Sequence, residues 1–409
     1  MALLFLPAAA LAAALLPAFA QASPLSLDAA LDMAVQRSSA ARSARAAVAG
    51  AREMAFAAGQ FPDPTLRVGV ENLPVTGPDR LRTDRDFQTM KRIGIGQEWV
   101  SRDKRAARQA AAEAAVGREA VQEQTAIGDA RLQTALAYLD AFYAGEALKL
   151  ATLNEHHAHD EFEAARGRLS SATGNSQEVL ALTASRGLAA DESAEVRQQQ
   201  GTAQVALERW VGARADELMA IPTAATPTEQ AYVDAHPAVM TLRLDRDVAR
   251  QGAALAAANR APNWSWEVSY GQRTGYSDMI SFAVSIPIPV APAQRQDRET
   301  ASKLALLDKA DADLVEAERA ASAEYRALTS DARRLQERIE GYRASVVVPA
   351  EQRTAAAIAA YRSNQTSLVA LFEARHAEVE MQRKLLALQR DLARTNAQLA
   401  FKPLTGSAR

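Results

Sequence analysis

Between Pro78 and Pro222 the chain contains no proline, and after Pro292 only Pro349 and Pro403 interrupt it. Proline inside a helix removes a hydrogen bond and clashes with the preceding turn, so these two tracts are where long helices can run. Both are rich in Ala, Leu, Glu, Gln and Arg, the better helix formers. The pattern from about Asp103 to Arg166 predicts one helix, on the order of 95 Å long at ~1.5 Å per residue. Alanine dominates many candidate inward positions, and small residues let helices pack closely over long distances. The expected product is a rod, which no compact domain of this size needs.

Against this helical background stand two pairs of alternating segments. In the first pair Leu66, Val68 and Val70 alternate with Arg67, Gly69 and Glu71, and Ile93, Ile95 and Trp99 alternate with Gly94, Gly96 and Glu98. In the second, Trp264, Trp266, Val268 and Tyr270 alternate with Ser265, Glu267, Ser269 and Gly271, and Ile280, Phe282, Val284 and Ile286 with Ser281, Ala283 and Ser285. One face is apolar and the other is small or polar. That is the pattern of a membrane β-barrel strand, lipid outside and water inside. A half-buried soluble sheet gives the same local pattern, and the strands alone leave both open.

The two pairs belong to an internal duplication. A shift of 198 residues sets Val35 on Val233, Arg45 on Arg243, Arg52 on Arg250, Pro64 on Pro262 and Val70 on Val268. Each half reads helix, proline, strand, loop, strand, long helix, turn, helix. The expected organisation is a first repeat over 21–220, a Pro/Thr-rich linker over 221–229, a second repeat over 230–402 and a flexible tail over 403–409. The fold class is mainly α with a small β part, built of long helical hairpins. Four strands cannot close a barrel, and an open sheet edge does not survive in hydrocarbon. The smallest such barrels have eight strands, so a chain of this kind must share its wall. Three copies supply twelve strands and six repeat units around one axis, with the helices continuing as an α-barrel.

Residues 1–20, an apolar stretch ending in Ala18-Phe19-Ala20, read as a secretory signal peptide. No Lys or Arg precedes its apolar core, and a buried N-terminal helix is the alternative. The 409 residues carry a formal charge of −2 and no cysteine. Disulfides, thiolate metal sites and thiol nucleophiles are thereby excluded, and nothing in the charge points to nucleic acid. Walker, G-x-S-x-G and H-E-x-x-H motifs are absent, so no enzyme activity and no cofactor is expected. His156 and His159, with Asp160 and Glu163, form the one metal-like cluster. Histidine with carboxylate suits zinc or copper, and a solvated helix face is the alternative. His236 and His376 read as isolated structural residues. Trp99, Trp264 and Trp266 suit an interfacial aromatic girdle or plain sheet packing.

Taken together, "LSLDAALDMAV", "FPDPTLRVGVENLP", "IGIGQEWVSRDKRAARQAAAEAA" and the segments "RGRLSSATGNSQEVLALTASRGLAADE" and "YRSNQTSLVALFEARHAEVEMQRKLLALQRDLA" resemble the TolC-like outer-membrane efflux factors over nearly the whole mature chain. The "FPDPTLRVGVENLP" stretch is similar to their heavy-metal branch. The resemblance implies a homotrimer in outer-membrane lipid of a Gram-negative cell, continuing across the periplasm as a helical tunnel. It implies a passive conduit for metal ions or small toxic compounds. The partners would be a periplasmic adaptor (a membrane fusion protein) and an inner-membrane pump of the resistance-nodulation-division type. It also implies that two helix–turn–helix tips form the periplasmic gate and adaptor contact, here Arg168, Leu169, Ser170, Gln177 and Glu178, and Arg362, Asn364, Gln365 and Ser367. Three Glu178 side chains converging on one axis would narrow the pore and favour cations, and a solvated helix charge is the alternative. Asn364 stands where the family often has glycine, and Ala370 where it often has an acid. Arg168 and Arg362 are candidates for ion pairs that hold the tip closed. A periplasmic coiled-coil adaptor or scaffold is the competing reading, and the duplicated strand pairs count against it.

Overall fold

The computed structural model describes residues 24–215, 217–220 and 226–404. The signal-peptide segment 1–20, residues 221–225 of the expected linker and 405–409 of the expected tail lie outside the described residues.

Two helices open the chain, α1 (Leu27–Arg37) and α2 (Ser39–Ala58). Ser38 divides them because its extended backbone and its hydroxyl, which accepts the Ala41 amide at 3.1 Å, start a new helix. Strands β1 (Thr65–Glu71) and β2 (Met90–Trp99) follow, then α3 (Arg102–Ser170) and α4 (Ser176–Val211). The second half runs α5 (Glu229–Asp234), α6 (Pro237–Ala258), β3 (Trp264–Gln272), β4 (Met279–Ser285), α7 (Gln296–Tyr342), α8 (Val348–Arg362) and α9 (Leu368–Phe401). Helices α2 and α6 begin 198 residues apart, the offset at which the two halves align in sequence.

Helix α3 has 69 residues and is therefore about 100 Å long. Its start is fixed by Ser101, whose hydroxyl accepts the Lys104 amide. Most of its buried positions are small: Ala130, Thr134, Ala135, Ala137, Ala141, Ala151, Ala158 and Ala165. Alanine keeps the neighbouring helices α2, α4, α6 and α9 close along the rod. No single core results. One apolar cluster gathers Leu27, Leu31, Tyr138, Leu139, Leu207 and Val211 where α1, α3 and α4 meet. A second lies at the far ends of the hairpins, and a third, with Val239, Leu314 and Ala321, joins α6 to α7.

The second long helix, unlike α3, is not one regular rod. A π-helical segment, Arg343–Val347, stands between α7 and α8. The physical reason is Pro349, at the start of α8. Its ring excludes the carbonyl four residues back, and the wider π turn makes room without ending the helix.

Candidate functional site

The four strands form one antiparallel sheet in the order β1-β2-β3-β4. Register carries the alternation of the sequence across all four. Leu66, Ile95, Val268 and Phe282 lie in one row, and Val68, Ile93, Tyr270 and Ile280 in the next. Their common face is bare: Leu66, Val68, Val70, Ile93, Ile95, Trp99, Trp264, Val268, Tyr270, Ile280, Phe282 and Val284 are all exposed, with Val68 at 73% and Ile280 at 79%. Trp266, on the same face, is half-buried. Trp99 stacks on Trp264 at 5.7 Å between ring centres, and Phe61 lies 5.2 Å from Trp99. A second aromatic pair, Phe87 and Tyr276, sits in the loops at the opposite end of the strands. The apolar band thus runs between two sets of rings.

The opposite face is charged and self-paired. Arg92 donates to Glu71 at 2.5 Å, to Glu267 at 3.1 Å and to the Ser269 hydroxyl at 2.7 Å. The second oxygen of Glu267 accepts Arg67 at 2.7 Å. Glycine is required beside this collar. A Cβ on Gly94 would come 2.8 Å from that of Ser269 and 3.4 Å from the Glu267 carboxylate. At the helix end of the sheet Lys104 is buried. It donates to the Ala261 carbonyl at 2.5 Å and to Asn263 at 2.8 Å, while Asn263 donates to Glu98 at 2.6 Å. Burial lowers the Lys104 pKa, the Arg108 guanidinium lowers it further, and Glu98 opposes both. Gln97 closes the same junction by donating to the Pro62 carbonyl at 2.7 Å. Three chain crossings between helix and strand are held there by polar side chains.

At the far end of the rod two tips lie side by side, and they end alike. The Thr173 amide reaches back to Arg168 and the Ala172 amide to Leu169, as Gln365 reaches Ala360 and Asn364 reaches Tyr361. These are Schellman closures, which need one left-handed residue each. Ala172 (φ 57°) and Asn364 (φ 56°) supply it. Leu169, Ser170, Gln177, Arg362, Asn364, Gln365 and Ser367 are exposed.

Glu178 differs from its neighbours. It is 9% exposed, so the solvated-charge reading fails. Its backbone amide donates to Asn175, the N-cap of α4, at 2.7 Å. Its carboxylate turns away from its own helix and accepts the Leu368 amide at the start of α9, at 3.1 Å. Helix α9 has its own N-cap, Ser367, whose hydroxyl accepts Ala370. Ala370, the third residue of that helix, brings no carboxylate to the first turn, and Glu178 fills the place from the other hairpin. Arg168 lies 3.9 Å from the same oxygen, too distant for a strong pair. The acid expected to line a pore is, within the chain, a clasp between the two tips.

The histidine cluster is not assembled into a metal centre. His156 lies 3.5 Å from Asp160 with both side chains more than half exposed, His159 is exposed, and among the described residues no group of three or more His, Cys, Asp or Glu could hold a metal ion. His236 and His376 are not isolated, as the sequence suggested. His236 is buried 3.4 Å from Glu324, and His376 lies between Asn154 and Glu192.

No protein-family model and no curated protein sequence matches the chain. Solved structures do. The outer-membrane protein VceC of Vibrio cholerae superposes with a TM-score of 0.74 at 18% identity, over 92% of this chain and 96% of that one. The outer-membrane channel CmeC of Campylobacter jejuni gives 0.77 at 12% identity, over 94% and 87%. The fold is that of the outer-membrane channels. CusC, solved in states that accompany folding and transmembrane channel formation, gives 0.73 at 14% identity, over 92% and 91%. Scores this close do not single out one branch of the outer-membrane channel fold.

Proposed function

We propose that this chain is one third of a trimeric outer-membrane efflux conduit, a passive, water-filled path through the outer membrane and across the periplasm. The single observation that carries this reading is the sheet. It has one largely exposed apolar face, one ion-paired polar face and two unpaired edges. Such an element is stable only with lipid on one side, water on the other and further strands at both edges. Three chains satisfy this with twelve strands. Among the described residues no helix is long and apolar enough to cross a membrane; on this reading the strands are the membrane-spanning part because of their bare apolar face. The fold shared with VceC, CmeC and CusC supports the same reading. On it, repeats 21–220 and 230–402 each supply two strands and one hairpin. The cargo is metal ions or small toxic compounds, energy comes from an inner-membrane pump of the resistance-nodulation-division type, and a periplasmic adaptor meets the exposed tip residues Leu169, Ser170, Gln177, Arg362, Asn364, Gln365 and Ser367.

Fractionation tests it. The conduit is extracted from the outer membrane only by detergent and runs at three times the mass of one mature chain. Release by osmotic shock, or a stable single chain in detergent, defeats the conduit and favours a periplasmic scaffold.

A further inference from the structure

Between the tips and the middle of the rod lies a polar layer that the conduit itself does not require. Glu161 on α3 is 4% exposed. One of its oxygens accepts Arg375 of α9 at 2.7 Å, and the other is buried without a hydrogen-bond partner. Two turns along α3, Asn154 is 2% exposed. It lies 3.3 Å from the His376 ring, and its own oxygen is unpaired. His376 also faces Glu192 of α4 at 3.6 Å. The charged and titratable groups around the layer are His156, His157 and Asp160 on α3, Glu192 and Glu195 on α4, and Arg375, His376, Glu378, Glu380 and Arg383 on α9. Helix α8 meets it through Thr354, which donates to the Ala374 carbonyl. Next along the hairpins comes the apolar cluster of Ala158, Ala165, Leu182, Leu368, Leu371 and Phe372, which joins the two tips.

An ion pair in such a place is poorly compensated. Desolvation costs each charge several kcal/mol, and attraction repays it only when every remaining lone pair is bonded. Here one carboxylate oxygen is not. We propose that Glu161 and Arg375 form a proton-sensitive clasp that holds α9 against the first hairpin and loosens as pH rises.

The sign follows from linkage. Burial pushes the Glu161 carboxyl up to about 7, Arg375 pulls it down in part, and Asp160 adds to the rise. Separating α9 from α3 exposes the group to water and returns it toward its ordinary 4.5. The docked form therefore holds its proton more tightly. Docking is strongest below about 4.5 and is lost progressively as pH rises through about 7. Glu192, which burial also raises, adds in the same direction. His157, which burial lowers, opposes protonation of the docked form.

The chain has no cysteine, so nitroxides on Ala164→Cys and Glu373→Cys, two exposed positions on α3 and α9, report this distance alone. Full-length protein in detergent, with labelled chains diluted into unlabelled ones, is measured by pulsed electron resonance from pH 5 to pH 8. The short-distance population dominates at pH 5, and its ratio to the separated one falls by more than about tenfold by pH 8, since each pKa unit is worth a factor of ten. Glu161→Gln stays docked at every pH. Arg375→Gln, which removes the charge that pulls the carboxyl down, moves the midpoint to higher pH. No change with pH in the protein that retains Glu161 overturns the clasp. So does an undiminished pH response in Glu161→Gln, which would hand the effect to His157, His376 or Glu192. No transport is measured, so failure of the clasp and failure of the conduit are read separately.

Discussion

Glu178 sits three residues after the N-cap Asn175, where a glutamate ordinarily folds back onto its own cap. It instead accepts the amide of Leu368, 190 residues away. Removing the acceptor strands a buried N–H, which costs about 1–3 kcal/mol. Glu178→Ala should therefore weaken tip-to-tip docking by that amount, and Glu178→Gln, which keeps a carbonyl oxygen, should recover much of it. Amide exchange at Leu368–Leu371 by mass spectrometry reads the difference, and unchanged protection in the alanine variant removes the clasp at this residue. Ala172 gives a prediction of opposite sign. A non-glycine residue in the left-handed region costs ~1 kcal/mol, so Ala172→Gly should raise the thermal midpoint. The sequence placed Glu178 at a hairpin tip. The carboxylate's destination was not legible, because it depends on how two hairpins dock and no local pattern encodes that.

Among the elements, the strands were the most legible. A period of two survives in any sheet, so Leu66 to Val70 and Ile280 to Val284 were readable as strands with one apolar face before any pairing was known. Pairing adds what alternation lacks: Glu267 reaches both Arg67 and Arg92 because β1, β2 and β3 are adjacent. The π segment at Arg343–Val347 was less legible, since Pro349 announces a break but not how the helix absorbs it. The two faces make a matched pair of tests. Phe282→Arg places a charge on the apolar band, at ~2–4 kcal/mol if it lies at mid-membrane. Ser281→Arg, one residue away on the polar face, should be nearly neutral. Urea unfolding in lipid vesicles measures both, and equal losses would mean that the sheet does not separate lipid from water.

On the scale of the whole molecule, the proposed conduit makes the single chain an incomplete fold. Strands β1 and β4, of seven residues each, are the two sheet edges, and in hydrocarbon each unpaired backbone group costs several kcal/mol. The interior offers little to offset this, because among the described residues its apolar clusters are strung along a rod about 100 Å long instead of forming one core. If three chains share one wall, as proposed, a lone chain has no folded state in lipid or detergent that keeps its sheet. Dissociation and loss of the sheet must be one event. During heating in detergent, the β signal in circular dichroism and the trimer band on a gel should disappear at the same temperature. That temperature should rise with protein concentration, as mass action requires of an obligate oligomer. A monomer that keeps its sheet after the trimer band is gone would show that the edges are satisfied within one chain, and the shared wall would have no physical basis.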